Sequence, residues 1–242
     1  MRRLAIAILL LLGQLDAPAW AQWTNDAQKC AETPDSNVAL ELCTRAIQSG
    51  ALSGSGLAVT FNNRGNAYQS KGDYQRAIQD YDEALRIDPD YPLAFYNRGL
   101  ARFDQGLYIA AVPDFVRAVQ LDPAKPYRVL ALYLAKARGG DPDKEMLATS
   151  ATQLNLTQWP GPVVALYLGQ VTPQAVLNAA QDPDPNTQRE RQCEAYFYLG
   201  EYLLINNQKA EAARMFQAAV STGVTSLFEY ASAKAELRRL AQ

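Results

Sequence analysis

From residue 58 to residue 125 the chain runs twice through one arrangement of small, aromatic and polar positions. Asn63-Arg64-Gly65 recurs as Asn97-Arg98-Gly99, Tyr74 as Tyr108, Ala77 as Ala111, Tyr81 as Phe115, Ala84 as Ala118, and Asp88-Pro89 as Asp122-Pro123. Every pair stands 34 positions apart (63 to 97). Each copy predicts two helices, turned at Gly72-Asp73 and at Gln105-Gly106. The Asp-Pro pairs stop one copy and start the next, because proline cannot continue a helix interior. Gly65 and Gly99 carry no side chain, so the two helices of a copy can approach closely there, and Ala77, Ala84, Ala111 and Ala118 serve the same approach from the second helix. Tyr68, Tyr74, Tyr81, Tyr108 and Phe115 fill the remaining space.

A period of 34 residues with this composition resembles the tetratricopeptide repeat (TPR), in which antiparallel helix pairs stack side by side. The resemblance implies an all-α chain folded as a TPR superhelix. Residues 58–125 form two regular repeats. Residues 22–57 form a degenerate N-terminal repeat, with Ser53-Gly54-Ser55-Gly56 as a short flexible insert before the first regular one. Residues 126–185 hold irregular TPR-like helices: one over 126–138 ended by Gly139-Gly140, one from Asp141 to Leu156, and two short ones at 163–168 and 173–180. Residues 186–242 hold a last repeat and a capping helix at about 226–240.

The resemblance also assigns residues. Ala39, Cys43 and Ala46 have the spacing of a second TPR helix, which places Cys30 on the first helix facing Cys43. In an oxidising compartment the two form a disulfide; in a reducing one they are two buried thiols. Arg64 and Arg98 occupy a slot usually apolar in these repeats. Asp80 and Asp114 follow each of them by the same interval, so the pairs Arg64–Asp80 and Arg98–Asp114 are expected as structural salt bridges. The first helices of stacked repeats line a concave groove. Its positions are Asn62, Asn66 and Gln69, then Tyr96, Leu100 and Phe103, then Tyr127 and Leu130, running from amides to an apolar floor. Such a groove suits a peptide, the amides meeting its backbone and the aromatics anchoring its side chains. The alternative is that its apolar half is core beneath the C-terminal helices. Capture of a C-terminal carboxylate is not expected, since Asn62 stands where clamp-type repeats carry lysine.

Composition narrows the function. The chain has 242 residues, 48% hydrophobic and 20% charged, with a formal net charge of -2 and no histidine. Nothing basic points to nucleic acid. Without histidine the commonest general base and metal ligand are missing, so no catalytic residue, cofactor or metal is expected. The rival reading is a carboxylate-dependent cell-wall hydrolase, with Glu194, Glu201 and Asp104 as the acidic residues on first helices; a purely structural assembly module is a third. Arg2-Arg3, the apolar run Leu4 to Leu12, and Ala19-Trp20-Ala21 have the form of a secretory signal peptide over residues 1–21, cleaved after Ala21. This implies a periplasmic protein with no stable membrane anchor.

Residues 92–240 further resemble the NlpI-like periplasmic TPR lipoproteins. The resemblance is carried by Pro126-Tyr127-Arg128, Leu132-Tyr133-Leu134-Ala135, Gln158-Trp159, Leu166-Tyr167-Leu168-Gly169, Phe197-Tyr198-Leu199-Gly200 and Glu211-Ala212-Ala213. It implies a non-catalytic adaptor that brings a carboxy-terminal processing protease and peptidoglycan hydrolases together. Two departures bear on it. No lipidation cysteine follows the apolar run, and the Cys30/Cys43 pair replaces the long N-terminal helices through which that family dimerises. Monomer and homodimer both stay open.

Overall fold

The computed structural model describes residues 19–242, and those residues form helices without a strand. The signal peptide expected over 1–21 lies, apart from its last three residues, outside them. An N-terminal pair, α1 (Ala19–Glu32) and α2 (Ser36–Gln48), precedes the regular pairs α3 (Gly54–Ser70) with α4 (Tyr74–Ile87) and α5 (Pro92–Asp104) with α6 (Tyr108–Leu121). Then come α7 (Pro126–Arg138), α8 (Lys144–Ala151), α9 (Gly161–Tyr167) and α10 (Pro173–Ala179). The pair α11 (Pro185–Ile205) and α12 (Lys209–Ser221) and a last helix, α13 (Phe228–Leu240), complete the chain.

Local chemistry sets the boundaries. Asp35, Asp143, Thr172 and Asp184 each cap a helix by accepting from its first backbone N–H groups, which satisfies donors that have no partner inside the helix. The turns inside the two regular pairs need φ of +79° at Gly72 and +78° at Gly106, a conformation that costs a β-carbon-bearing residue about 1 kcal/mol or more.

Each regular pair is locked by one glycine–aromatic contact. A β-carbon at Gly65 would lie 2.6 Å from Cε1 of Tyr81, and one at Gly99 would lie 2.6 Å from Cε1 of Phe115. The last pair repeats the device with Gly200 and Phe216, at 2.5 Å. Tyr81, Phe115 and Phe216 are fully buried by this approach. The core grows along the stack. Small clusters around Ala84–Leu85 and Tyr81 serve the first repeats, whereas one continuous cluster joins α5 through α13.

Three local expectations are corrected. Gly54–Gly56 is the first turn of α3 rather than a flexible insert: Ser53 precedes it in extended conformation, and Thr60 Oγ1 donates to the Gly56 carbonyl at 2.8 Å. Helix α3 thus begins four residues before the expected start of the regular repeat at 58. The helix expected over 141–156 is only α8, eight residues long. Residues 152–160 are irregular, and Gly161 at the start of α9 packs directly on the Leu156 backbone, where a β-carbon would sit at 2.5 Å. The capping helix does not merely cover the end of the stack. α13 turns back against α11, α12 and α5. Among the described residues no helix is long and apolar enough to cross a membrane.

Candidate functional site

The inner surface is made by the first helix of each pair, and its two halves meet different fates. In the half built by α5 and α7, Leu100, Phe103 and Leu130 are core residues. Tyr96 packs on Phe115 with ring centroids 6.0 Å apart, and burial raises its phenol pKa far above the usual range. The Tyr127 hydroxyl donates to Glu194 at 2.7 Å. Phe103 and Leu130 are therefore closed to a partner, while Tyr96 and Tyr127 stay partly exposed and Leu100 borders the remaining opening. The space left between Tyr96, Phe103, Leu134 and Phe197 is about 10 Å³, too small for a side chain. Asn62 is corrected as well: it is 3% exposed and accepts from Asn97 Nδ2 at 3.0 Å.

The polar half stays open. Asn66 and Gln69 border a cleft of about 660 Å³ between α1–α3 on one side and residues 225–238, mostly α13, on the other. An amide network holds its floor in place. Asn97 Nδ2 also donates to Asn66 Oδ1 at 3.0 Å, and the buried Tyr81 hydroxyl lies 2.9 Å from both Asn66 Oδ1 and Gln69 Oε1. Gln69 Nε2 donates onward to Asp104 at 3.3 Å. Such fixed amides present backbone-like donors and acceptors without first having to be ordered. The whole second wall, including Tyr230, Lys234 and Arg238, escaped the sequence reading. Repeat spacing carries no signal for it, because α13 reaches this place only through the closure of the superhelix.

Cys30 and Cys43 are joined by a disulfide with Cα atoms 5.3 Å apart. The bridge holds α1 against α2, and Cys30 borders the cleft. Arg64 meets Asp80 through two bonds, Nη2–Oδ1 at 2.7 Å and Nε–Oδ2 at 2.8 Å. Arg98 meets Asp114 with Nη2–Oδ1 at 2.6 Å and also reaches Asp82 of the preceding pair at 2.6 Å. Each guanidinium lies over a phenylalanine of its own helix, Phe61 at 5.4 Å and Phe95 at 5.5 Å. Asp80 and Asp114 are buried, so these pairs are parts of the packing between helices.

The carboxylates singled out for a hydrolase lie inside the protein. Asp104 accepts from Ser232 Oγ at 2.5 Å, and burial pushes its pKa up to about 7. Glu201 is held by Arg138 at 2.6 Å, and burial pushes it to about 8. Glu194 accepts from Tyr127 and from Trp159 Nε1 at 2.6 Å, and burial raises its pKa too. Glu229, pushed up to about 8 by burial and by Glu194, accepts from Tyr198 at 3.2 Å. Raised carboxyl groups of this kind often mark catalysis, but a general acid must reach its substrate. None of these four borders the cleft.

Two comparisons bear on the repeats directly. Residues 65–106 match the family model described as a TPR repeat, and residues 93–125 match the one described as a tetratricopeptide repeat. Among solved structures, the chain is similar to a tetratricopeptide repeat protein from Parabacteroides merdae, with 18% identity, a TM-score of 0.56, and 94% of this chain and 86% of that one covered. It is also similar to MamA from Desulfovibrio magneticus, with 17% identity, a TM-score of 0.51, and 86% and 96% covered. At these identities the likeness is one of fold.

Proposed function

We propose that this chain, which carries tetratricopeptide repeats and folds as a helical TPR superhelix, is a protein–protein interaction scaffold exported to the bacterial envelope. The coarse role, a module that holds protein partners, is supported by the repeats themselves. The single observation that carries the binding reading is the 660 Å³ cleft with its fixed amides, Asn66, Asn97 and Gln69. Export rests on the Arg2-Arg3, Leu4–Leu12 and Ala19-Trp20-Ala21 pattern and agrees with a disulfide in an oxidising compartment. The adaptor role, bringing a carboxy-terminal processing protease to peptidoglycan hydrolases, rests on the resemblance of residues 92–240 to the NlpI-like proteins.

Affinity purification from envelope fractions, with and without a crosslinker, tests the scaffold. A processing protease or cell-wall hydrolase should be enriched, and its absence under both conditions overturns the adaptor role. A zymogram on purified cell wall tests the enzymatic rival: no clearing by the protein alone is expected, and clearing would reverse the reading. Fusion to a reporter that is active only after export tests the location.

A further inference from the structure

Resting on the reading of this cleft as the partner site, we infer that it selects an acidic extended segment, recognised through carboxylate side chains along the segment. The charge of the lining carries the inference. The chain as a whole is slightly acidic, at -2, yet no Asp or Glu borders the cleft while Lys71, Lys234 and Arg238 do. All three are exposed, and none has a carboxylate partner among the described residues. Lys71 Nζ donates to the neutral Oδ1 of Asn37, and Lys234 lies over the Tyr230 ring at 5.6 Å. The arginines packed between helices differ, since Arg64, Arg98, Arg138 and Arg239 are all ion-paired. Of the carboxylates next in sequence to lining residues, Asp35 and Asp73 are turned to cap α2 and α4, Glu229 is buried, and Glu32 accepts from Gln28 Nε2 on the exposed side of α1. A concave site with one sign of unpaired charge concentrates the opposite charge.

The placement of the charges decides between side-chain carboxylates and a terminal one. Lys71 ends α3 on one wall, whereas Lys234 and Arg238 stand one helical turn apart on the other. A single terminal carboxylate brings one charge to three cations, whereas several carboxylates along a segment can serve all three. In an extended segment successive side chains point to opposite sides, so neighbouring acidic residues meet both walls while Asn63, Asn66 and Asn97 face the backbone between them. The second wall comes from α13, not from the repeats, so the repeat motif by itself does not encode this preference.

The test is fluorescence anisotropy of the purified protein with three labelled peptides of about eight residues, in which adjacent pairs of Asp, of Asn or of Lys alternate with pairs of Thr so that the paired side chains point to both sides, each with a free or amidated C-terminus. The Asp peptide should bind about ten-fold or more tighter than the Asn peptide, and amidation should leave its affinity unchanged. The K71Q/K234Q/R238Q variant should lose about ten-fold with an unchanged melting temperature, because exposed charges contribute little to folding. Raising NaCl from about 0.05 to about 0.5 M should weaken the acidic complex. Equal affinity for the Asp and Asn peptides overturns the acidic preference while leaving the cleft as a partner site. A large loss on amidation assigns the site to a terminal carboxylate and overturns the inference. Binding of none of the peptides at about millimolar concentration, where weak complexes still form, overturns both the inference and the cleft reading.

Discussion

Ser232 Oγ donates to Asp104 Oδ1 at 2.5 Å across 128 positions of sequence. This bond ties the last helix to the end of α5. Arg239 Nη2 strengthens the join by donating to the Asp104 carbonyl at 2.9 Å. On the same side of α13, Glu236 is held by Arg138 at 3.2 Å and by Arg239. The closure is therefore polar and buried, so breaking one partner costs more than the bond itself.

Stability should fall as pH rises from about 5 to about 8.5. Burial lifts Asp104 from 3.8 to about 7 and Glu229 from 4.5 to about 8. The folded chain then holds protons that the unfolded chain has released. The stabilisation is full below the unfolded values and is lost as pH passes through the folded ones. The loss should be about 6 kcal/mol in denaturant titrations at the two pH values. Asp104→Asn should flatten the dependence, and an unchanged slope in that variant would contradict the assignment.

Arg138→Met should destabilise by about 3–5 kcal/mol, because it leaves Glu201 and Glu236 buried with less compensation. Arg138 bonds to Glu201 at 2.6 Å and lies 4.5 Å from the centre of the Tyr108 ring. Adding Glu201→Gln to Arg138→Met should recover part of the loss. Urea midpoints of the two single variants and the double variant close the cycle.

Asp114→Asn should cost more than Asp80→Asn. Asp114 accepts from both Arg98 and Arg102, whereas Asp80 meets Arg64 alone. Both losses should lie at about 2–5 kcal/mol, the range for breaking a buried pair, and the order is read from thermal midpoints.

Gly99→Ala should destabilise by about 1–3 kcal/mol through overpacking against Phe115. Phe115→Leu should relieve part of this in the double variant, although it lowers stability on its own. Additive losses in calorimetry would show that the two positions do not meet.

Cys30→Ser with Cys43→Ser should lower stability by about 2–4 kcal/mol under oxidising conditions. The closed loop spans 13 positions. Peptide mapping without reductant should recover 30 and 43 as one linked species.

The chain's own pattern determined what is settled between neighbours. In a stack of helix pairs most contacts lie within a pair or with the next one, so the 34-residue period carries them. Gly99 against Phe115, and arginine–aspartate partners recurring one period apart, were legible for that reason. Whether the groove stays open was not. It depends on small rotations summed over many repeats, and on the irregular segment after Lys125. These bring α11 and α13 onto Leu100, Phe103 and Leu130 and leave Asn66 and Gln69 free. No local spacing records that sum, so only the tertiary structure decided which half of the groove is core, and that Lys234 and Arg238 line, with Lys71, the half that remains.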